Sequence, residues 1–318
     1  MALQSKKPSI KESSISVIKS GDFTWVDIVE PDAEARKYLE QNFKFNSLDL
    51  DDCFSRRQLS KIDEYQPYLF VIFHLPTYDK TTRVSTIHQW SAFVGENYLV
   101  TLRPEVLRSL DDLRQEVEFD EAAKNNYLGQ GSAYLLYLML DRAVDAYFPV
   151  LDKIMSLIDE VEDKVFDEEV EAAKEISTLR RDVLTQRRVM FPERALLSEL
   201  ESKLKRFSKI NLSAYYGDLM DHMNKICETL DAGKDIIEVF KDADYVLSGY
   251  RANRIIRFMA IMFAIGLPFL VTAGLYSMRS AIPGSAAQGS VQTLVFLLLI
   301  IAAMVALMFY LLRRMRLI

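Results

Sequence analysis

The pattern of apolar and polar positions changes character three times along the chain. Up to about residue 104, short stretches such as SSISVIKS, FTWVDIV, YLFVIFHLP, VSTIHQWSAFVG and NYLVTLR are rich in β-branched and aromatic residues, with turn signals between them. They predict the strands of a central sheet. Helical spacing in AEARKYLEQNFKF and from Leu48 to Arg56 adds two helices, so residues 1–104 read as a mixed α/β region. After Pro104 the apolar residues of LLYLMLDRAVDAYFPVLDKIMSLIDEVEDKVF recur three and four apart, and residues 105–191 read as the helical part of the same domain. Pro149 falls where a helix kinks or restarts.

From Pro192 a third pattern begins. Leu219, Met223, Ile226, Leu230, Gly233, Ile237, Phe240, Asp244, Leu247 and Arg251 alternate spacings of four and three. This predicts a long helix over 192–257 packed against neighbours. It runs without interruption into Phe258–Tyr276, nineteen residues without a charge. A second charge-free run, Val291–Leu312, has twenty-two. Each suffices for a hydrocarbon core that takes roughly 20 residues to cross. The expected organisation is therefore a long helix entering a first span at 258–276, a loop at 277–290, a second span at 291–312 and a basic tail at 313–318. Helix and first span together exceed sixty residues, on the order of 100 Å at 1.5 Å per residue.

Charge gives the expected orientation. Arg251, Arg254 and Arg257 precede the first span, Arg313, Arg314 and Arg316 follow the second, and the intervening loop holds only Arg279. The excess of arginine places both termini in the cytoplasm and the loop on the far side. The formal net charge of −6 combines an acidic soluble part with these basic flanks, and no basic patch or motif points to nucleic acid. The opening MALQSKKPSIKESS has no apolar core of a signal peptide. Cys53 and Cys227 are too few for a disulfide framework or a thiolate metal site. Eight acidic residues lie between Asp159 and Glu171, a solvated helix face or an electrostatic element opposite the arginines.

Candidate chemistry is sparse. No phosphate-cradling glycine loop and no carboxylate paired with a nucleophile suggests an enzyme. On the long helix, Asp218 and Asp221 are one turn apart, and Asp242 and Asp244 lie nearer the span; these are the candidate regulatory metal ligands, for Mg2+ or another divalent cation, since hard cations take several oxygens. His74, His88 and His222 have no zinc spacing, and the first two sit in the sheet region, where a hydrogen-bonded structural role is expected. Asn253, Ile256, Ala260, Phe263, Leu267, Leu270 and Gly274 recur at three- and four-residue intervals and share a helix face. They either line a pore or pack against lipid and a neighbouring subunit. Thr272 can satisfy its hydroxyl on its own helix.

The order of these segments resembles the CorA family of divalent-cation channels and transporters, including its ZntB branch. The resemblance rests on WVDIVEP, LDLDDCFSRRQLSKIDEYQPYLFVIFHLP, YLLYLMLDRAVDAYFPVLDKIMSLIDEVEDKVF, YYGDLMDHMNKICETLDAGKDIIEVF and LPFLVTAGLYSM. It implies a funnel-shaped homopentamer in a bacterial inner membrane, with an α/β cytoplasmic domain, stalk helices and a pore lined by the first span. It implies a passive channel for divalent cations such as magnesium or zinc, requiring no other cofactor. Asn253 matches the family's inner polar pore ring, Asp218 an acidic position associated with regulatory metal, and Ile256, Met259, Phe263 and Leu267 apolar constrictions. The family's Gly-Met-Asn at the outer mouth, after tyrosine, is Ser277-Met278-Arg279 here, after Tyr276. Five arginines around one axis would repel divalent cations, and the loop SAIPGSAAQGS has no acid to attract them. A nonconducting membrane scaffold or sensor of the same architecture, or a channel of altered selectivity, is the alternative.

Overall fold

The structure, a computed structural model, describes residues 14–55, 58–79, 84–165, 172–277 and 291–314. It divides into two compact parts: Met1–Lys164 with Ala172–Phe240, and Lys241–Ile318 with Val165–Glu171.

The first part is built on six strands: β1 (Ser14–Ser20), β2 (Phe23–Val29), β3 (Lys61–Glu64), β4 (Tyr68–Asp79), β5 (Val84–Gly95) and β6 (Tyr98–Arg103). Their order in the sheet is β1-β2-β6-β5-β4-β3. β2 and β6 are parallel, with Trp25 opposite Leu99 and Asp27 opposite Thr101; the other pairs are antiparallel. Between β2 and β3 the chain forms α1 (Ala33–Asn42) and α2 (Ser47–Phe54). Both start as the sequence prescribes: Asp32 accepts the amides of Glu34 and Ala35, and Asn46 that of Leu48. These helices cover the sheet face that carries Val26, Ile28, Phe70, Ile72, Phe93, Val100 and Leu102, meeting it through Ala35, Leu39, Leu50 and Cys53.

Alternation along β2 and β6 sends Trp25, Asp27, Thr101 and Arg103 to the opposite face. There the Arg103 guanidinium binds Asp27 through Nε at 3.1 Å and Nη2 at 2.8 Å, and Asp111 through Nη2 at 3.1 Å. Thr101 donates to Asp27 at 2.7 Å and accepts from the Trp25 indole at 3.1 Å. Asp111 belongs to α3 (Arg108–Phe119), so this buried ion pair fastens the helical part to the sheet.

The helical part continues with α4 (Glu121–Gly129), α5 (Ser132–Asp145), α6 (Phe148–Val165) and α7 (Ala173–Leu204). Pro149 sits in the first turn of α6, where its missing N–H costs no helical bond. Gly131, with φ +100°, leads into α5, and a Cβ there would stand 3.0 Å from the Phe207 carbonyl oxygen. On α7, Asp182, Gln186 and Glu193 are buried and all bonded: Asp182 to Ser85, Gln186 to Ser85 and Tyr147, Glu193 to Ser60 and to the His74 amide. His74 and His88 take the structural roles expected of them, with the Ser60 and Thr86 hydroxyls each at 3.0 Å.

The long helix, α8, spans Ser213–Ser277, 65 residues. The sequence pattern placed its start at Pro192; in the structure that proline lies inside α7, and the break falls at 205–212. The reason is local: Ser208 bonds its own neighbours, donating to the Ile210 carbonyl at 2.7 Å, and Asn211 accepts the Ser213 amide at 3.0 Å, replacing helical bonds. α7 and α8 then run antiparallel, joined by ion pairs of Arg187 with Asp231 and Arg180 with Glu238. Up to Phe240 the four-three stripe is the buried face: Leu219, Met223, Ile226, Leu230, Ile237 and Phe240 are at most 3% exposed.

From Lys241 onward α8 belongs to the second part, with α9 (Val291–Arg314). Among the described residues, α8 is the one helix both long and apolar enough to cross a membrane. Pro268 lies within it, and Thr272 donates to the Pro268 carbonyl at 2.8 Å, so its hydroxyl is satisfied on its own helix.

Candidate metal centre and apolar helix face

Two helices of the first part bring ionisable groups together. α5 presents Asp141 and, one turn on, Asp145; α8 presents Asp218 and, one turn on, His222. One ligand atom each of Asp141, Asp218 and His222 lies within 4.8 Å of the others. His222 Nδ1 is 3.3 Å from an Asp145 oxygen. That distance suits an ion pair, yet the nitrogen is enclosed and makes no aligned hydrogen bond. The walls are aromatic: Phe148 meets the imidazole edge-on at 5.5 Å, and Tyr134 and Tyr137 of α5 contact Tyr215 of α8 at 5.7 and 5.1 Å.

Electrostatics shows what this cluster favours. Burial raises the Asp141 carboxyl above its ordinary range, and Asp145 and Asp218 raise it further while His222 opposes them. Burial, then Asp141 and Asp218, push the Tyr137 phenol up as well. Crowded carboxylates beside an imidazole with an unaligned nitrogen are relieved by a cation, which accepts oxygen and nitrogen donors together. Two carboxylates and one imidazole leave further positions for water, so the set fits a divalent cation held partly by solvent.

Of the four acids singled out on the long helix, only Asp218 joins this cluster. Asp221 is exposed and outside it, Asp242 is exposed, and Asp244 lies 3.4 Å from Arg251. The sequence reading missed Asp141 and His222. The signal for His222 was Asp218-x-x-x-His222, one turn of helix apart; that of Asp141 needed the packing of α5 on α8.

The residues of the proposed pore face are all on the second part of α8. Ile256, Met259, Phe263, Leu267 and Leu270 are 49–76% exposed, and Asn253 and Gly274 are exposed too. Tyr276 and Ser277 end α8, while Met278 and Arg279 lie outside the described residues.

Comparison with known proteins matches this arrangement. The model of the family described as CorA-like Mg2+ transporter protein covers residues 20–314. YfjQ of Bacillus subtilis is 27% identical over 284 residues, 87% of this chain and 86% of that protein. The cobalt/magnesium transport protein CorA of Thermotoga maritima is 25% identical over 272 residues, 84% of this chain and 76% of its own length. The solved structure of the CorA magnesium transporter from Methanocaldococcus jannaschii superimposes with a TM-score of 0.75 at 17% identity, covering 93% of this chain and 92% of that one. With an α/β domain, a long helix and a match over nearly its whole length, this chain belongs to the CorA-like family of Mg2+ transporter proteins.

Proposed function

We propose that the chain is one subunit of a passive divalent-cation channel, with the Asn253–Gly274 face of α8 lining a path shared by several copies. The observation that carries this reading is the apolar, exposed face of a helix that begins in the sheet domain: Ile256, Phe263 and Leu270 are 62, 64 and 76% exposed. A single span encloses no path, whereas a ring of identical helices does. The family points to five copies, with α9 as a second span and both termini cytoplasmic. Asn253 offers an amide oxygen to a hydrated cation at the inner end, and the apolar rings beyond it gate by dewetting. Occupancy of Asp141, Asp218 and His222 by a cation changes the α5–α8 contact, and α8 itself runs on to the pore face; this is the proposed route of regulation. No step needs ATP, and the cation moves down its gradient, as befits a transporter family rather than an enzyme.

A second reading has one observation in its favour: Arg279 stands where the family carries asparagine. In it the chain is a nonconducting sensor of the same architecture, or a channel of changed selectivity. Magnesium, cobalt and zinc flux into liposomes holding the full chain, beside an Arg279→Asn variant, separates the two. Conduction by the unaltered chain supports the channel; flux only in the variant supports the nonconducting form.

A further inference from the structure

A different face of α8 carries a second chemistry. Leu247, Tyr250, Arg251, Arg254 and Arg257 line one cavity of about 420 Å³. At about 100° per residue these five fall within an arc of about 120°. The centre of that arc is about 160° from the centre of the Asn253–Gly274 face. Arg251 and Arg254 therefore point away from the residues proposed to line the path, and Arg257 lies at its side, about 100° from the centre of that face.

Their height along the helix is equally specific. Phe258 opens the charge-free stretch, so Arg257, Arg254 and Arg251 precede it by one, four and seven residues. At 1.5 Å per residue these are about 1.5, 6 and 10 Å below the apolar boundary. The headgroup layer of a bilayer extends about 5–8 Å beyond each side of its hydrocarbon core. Arg257 and Arg254, both exposed, thus lie at the level of lipid phosphates. Arg251 stands at the outer limit of that layer, within 3.4 Å of Asp244. Tyr250, 64% exposed, adds an amphipathic ring of the kind that settles at this interface, and Leu247 gives the cavity an apolar wall.

We propose that Arg254 and Arg257, flanked by Tyr250 and Arg251, form a binding site for the phosphate of an anionic phospholipid on the outer side of α8. The inference rests on the reading that Phe258–Tyr276 crosses the bilayer. A guanidinium fork matches phosphate oxygens two at a time, and two forks one turn apart on a helix grip a headgroup that a zwitterionic lipid presents without net charge. Such a lipid would fix the rotation and height of α8 at the level where the proposed path begins.

The test uses the full chain in nanodiscs of phosphatidylcholine mixed with phosphatidylglycerol, followed by native mass spectrometry of the lipids that stay bound. The unaltered chain is expected to retain phosphatidylglycerol preferentially. In the Arg254→Gln, Arg257→Gln double variant that preference falls about 30-fold, the effect of two basic residues at a charged surface. The Arg254→Lys, Arg257→Lys variant keeps charge without the fork and loses a few-fold. Arg181→Gln with Arg188→Gln, exposed arginines of the first part, leaves the preference unchanged. An undiminished preference in the glutamine double variant overturns the site, and so does displacement of the lipid by inorganic phosphate at equal concentration. A chain that enters the discs but shows no lipid preference overturns the site alone; one that never enters them and washes off membranes in carbonate overturns the spanning reading with it.

Discussion

The same side chains meet opposite fates in the two parts of this molecule. In the sheet domain Phe70, Phe73 and Trp90 are 0, 2 and 1% exposed, whereas on α8 Phe258, Phe263 and Leu270 are 64, 64 and 76% exposed. Polar groups invert in the same way. The sheet domain buries Asp27, Arg103, Asp182 and Glu193, each with partners close by. The second part of α8 carries no charge from Phe258 to Tyr276 and turns the hydroxyl of Thr272 back onto its own backbone. The lesson is about solvent. The first part folds against water by hiding apolar surface and pairing most of its buried polar groups, and the second is built for surroundings where apolar surface outside costs nothing and an unsatisfied polar group costs most.

The comparison is broken most severely at the buried ion pair. Asp27→Ala leaves Arg103 charged and half-partnered inside the domain, so a loss of about 3–5 kcal/mol is expected. Urea unfolding followed by tryptophan emission reads it, since Trp25, tied to the same network through Thr101, and Trp90 are both buried in this domain. The opposite insult is a charge on α8. Phe269→Arg places a guanidinium near the middle of the apolar stretch and off the proposed path, at a cost of about 2.5–3.5 kcal/mol for insertion; the fraction of chain resisting carbonate extraction should fall while the melting of the sheet domain stays unchanged. Next comes the packing of α8 within the first part. A Cβ on Gly233 would meet Ile158 Cδ1 at 3.0 Å, so Gly233→Leu should push α6 and α8 apart and cost about 1–3 kcal/mol, while Gly233→Ala costs less because the neighbour is the end of a flexible side chain. Thermal melts of the two variants check the ranking.

The smallest effect sharpens the metal assignment. Because Asp141 is raised from its ordinary 3.8 in the fold, the folded chain holds that proton to higher pH than the unfolded chain does. Its contribution to stability is therefore greatest at acid pH and is lost as pH rises through the raised value. Asp141→Asn should melt slightly higher than the unaltered chain at pH 7 without metal, with the advantage shrinking as pH falls through the raised value and gone below about 3.8, as measured by melts across that range. Added Mg2+ or Co2+ should stabilise the unaltered chain, by about 2.7 kcal/mol at a hundred times its Kd, and leave the variant almost unmoved.

How far the sequence disclosed this follows from the range of the forces involved. The strands and the buried stripe from Leu219 to Phe240 were legible because periodicity is local. The junction at 205–212 was not, since Ser208 and Asn211 compete with a helix only through side-chain bonds that composition does not reveal. The candidate metal cluster was half legible. Asp218 stood out on one helix, but Asp141 and Asp145 reach it only through packing on α5, from more than seventy residues away. Asp242 and Asp244 looked alike in sequence and differ in structure, one exposed and one beside Arg251.

The central claim is that cations move along the Asn253–Gly274 face, and thiol accessibility tests it most directly. Cys53 and Cys227 are both buried, so a cysteine introduced on α8 is the one a small charged reagent finds first. Divalent-cation flux into liposomes should be carried by both Phe263→Cys and Phe269→Cys, and the reagent should block it at position 263 while sparing position 269, about 120° away around the helix. Equal block at both positions, or flux from the unaltered chain no greater than from empty liposomes, would contradict the account.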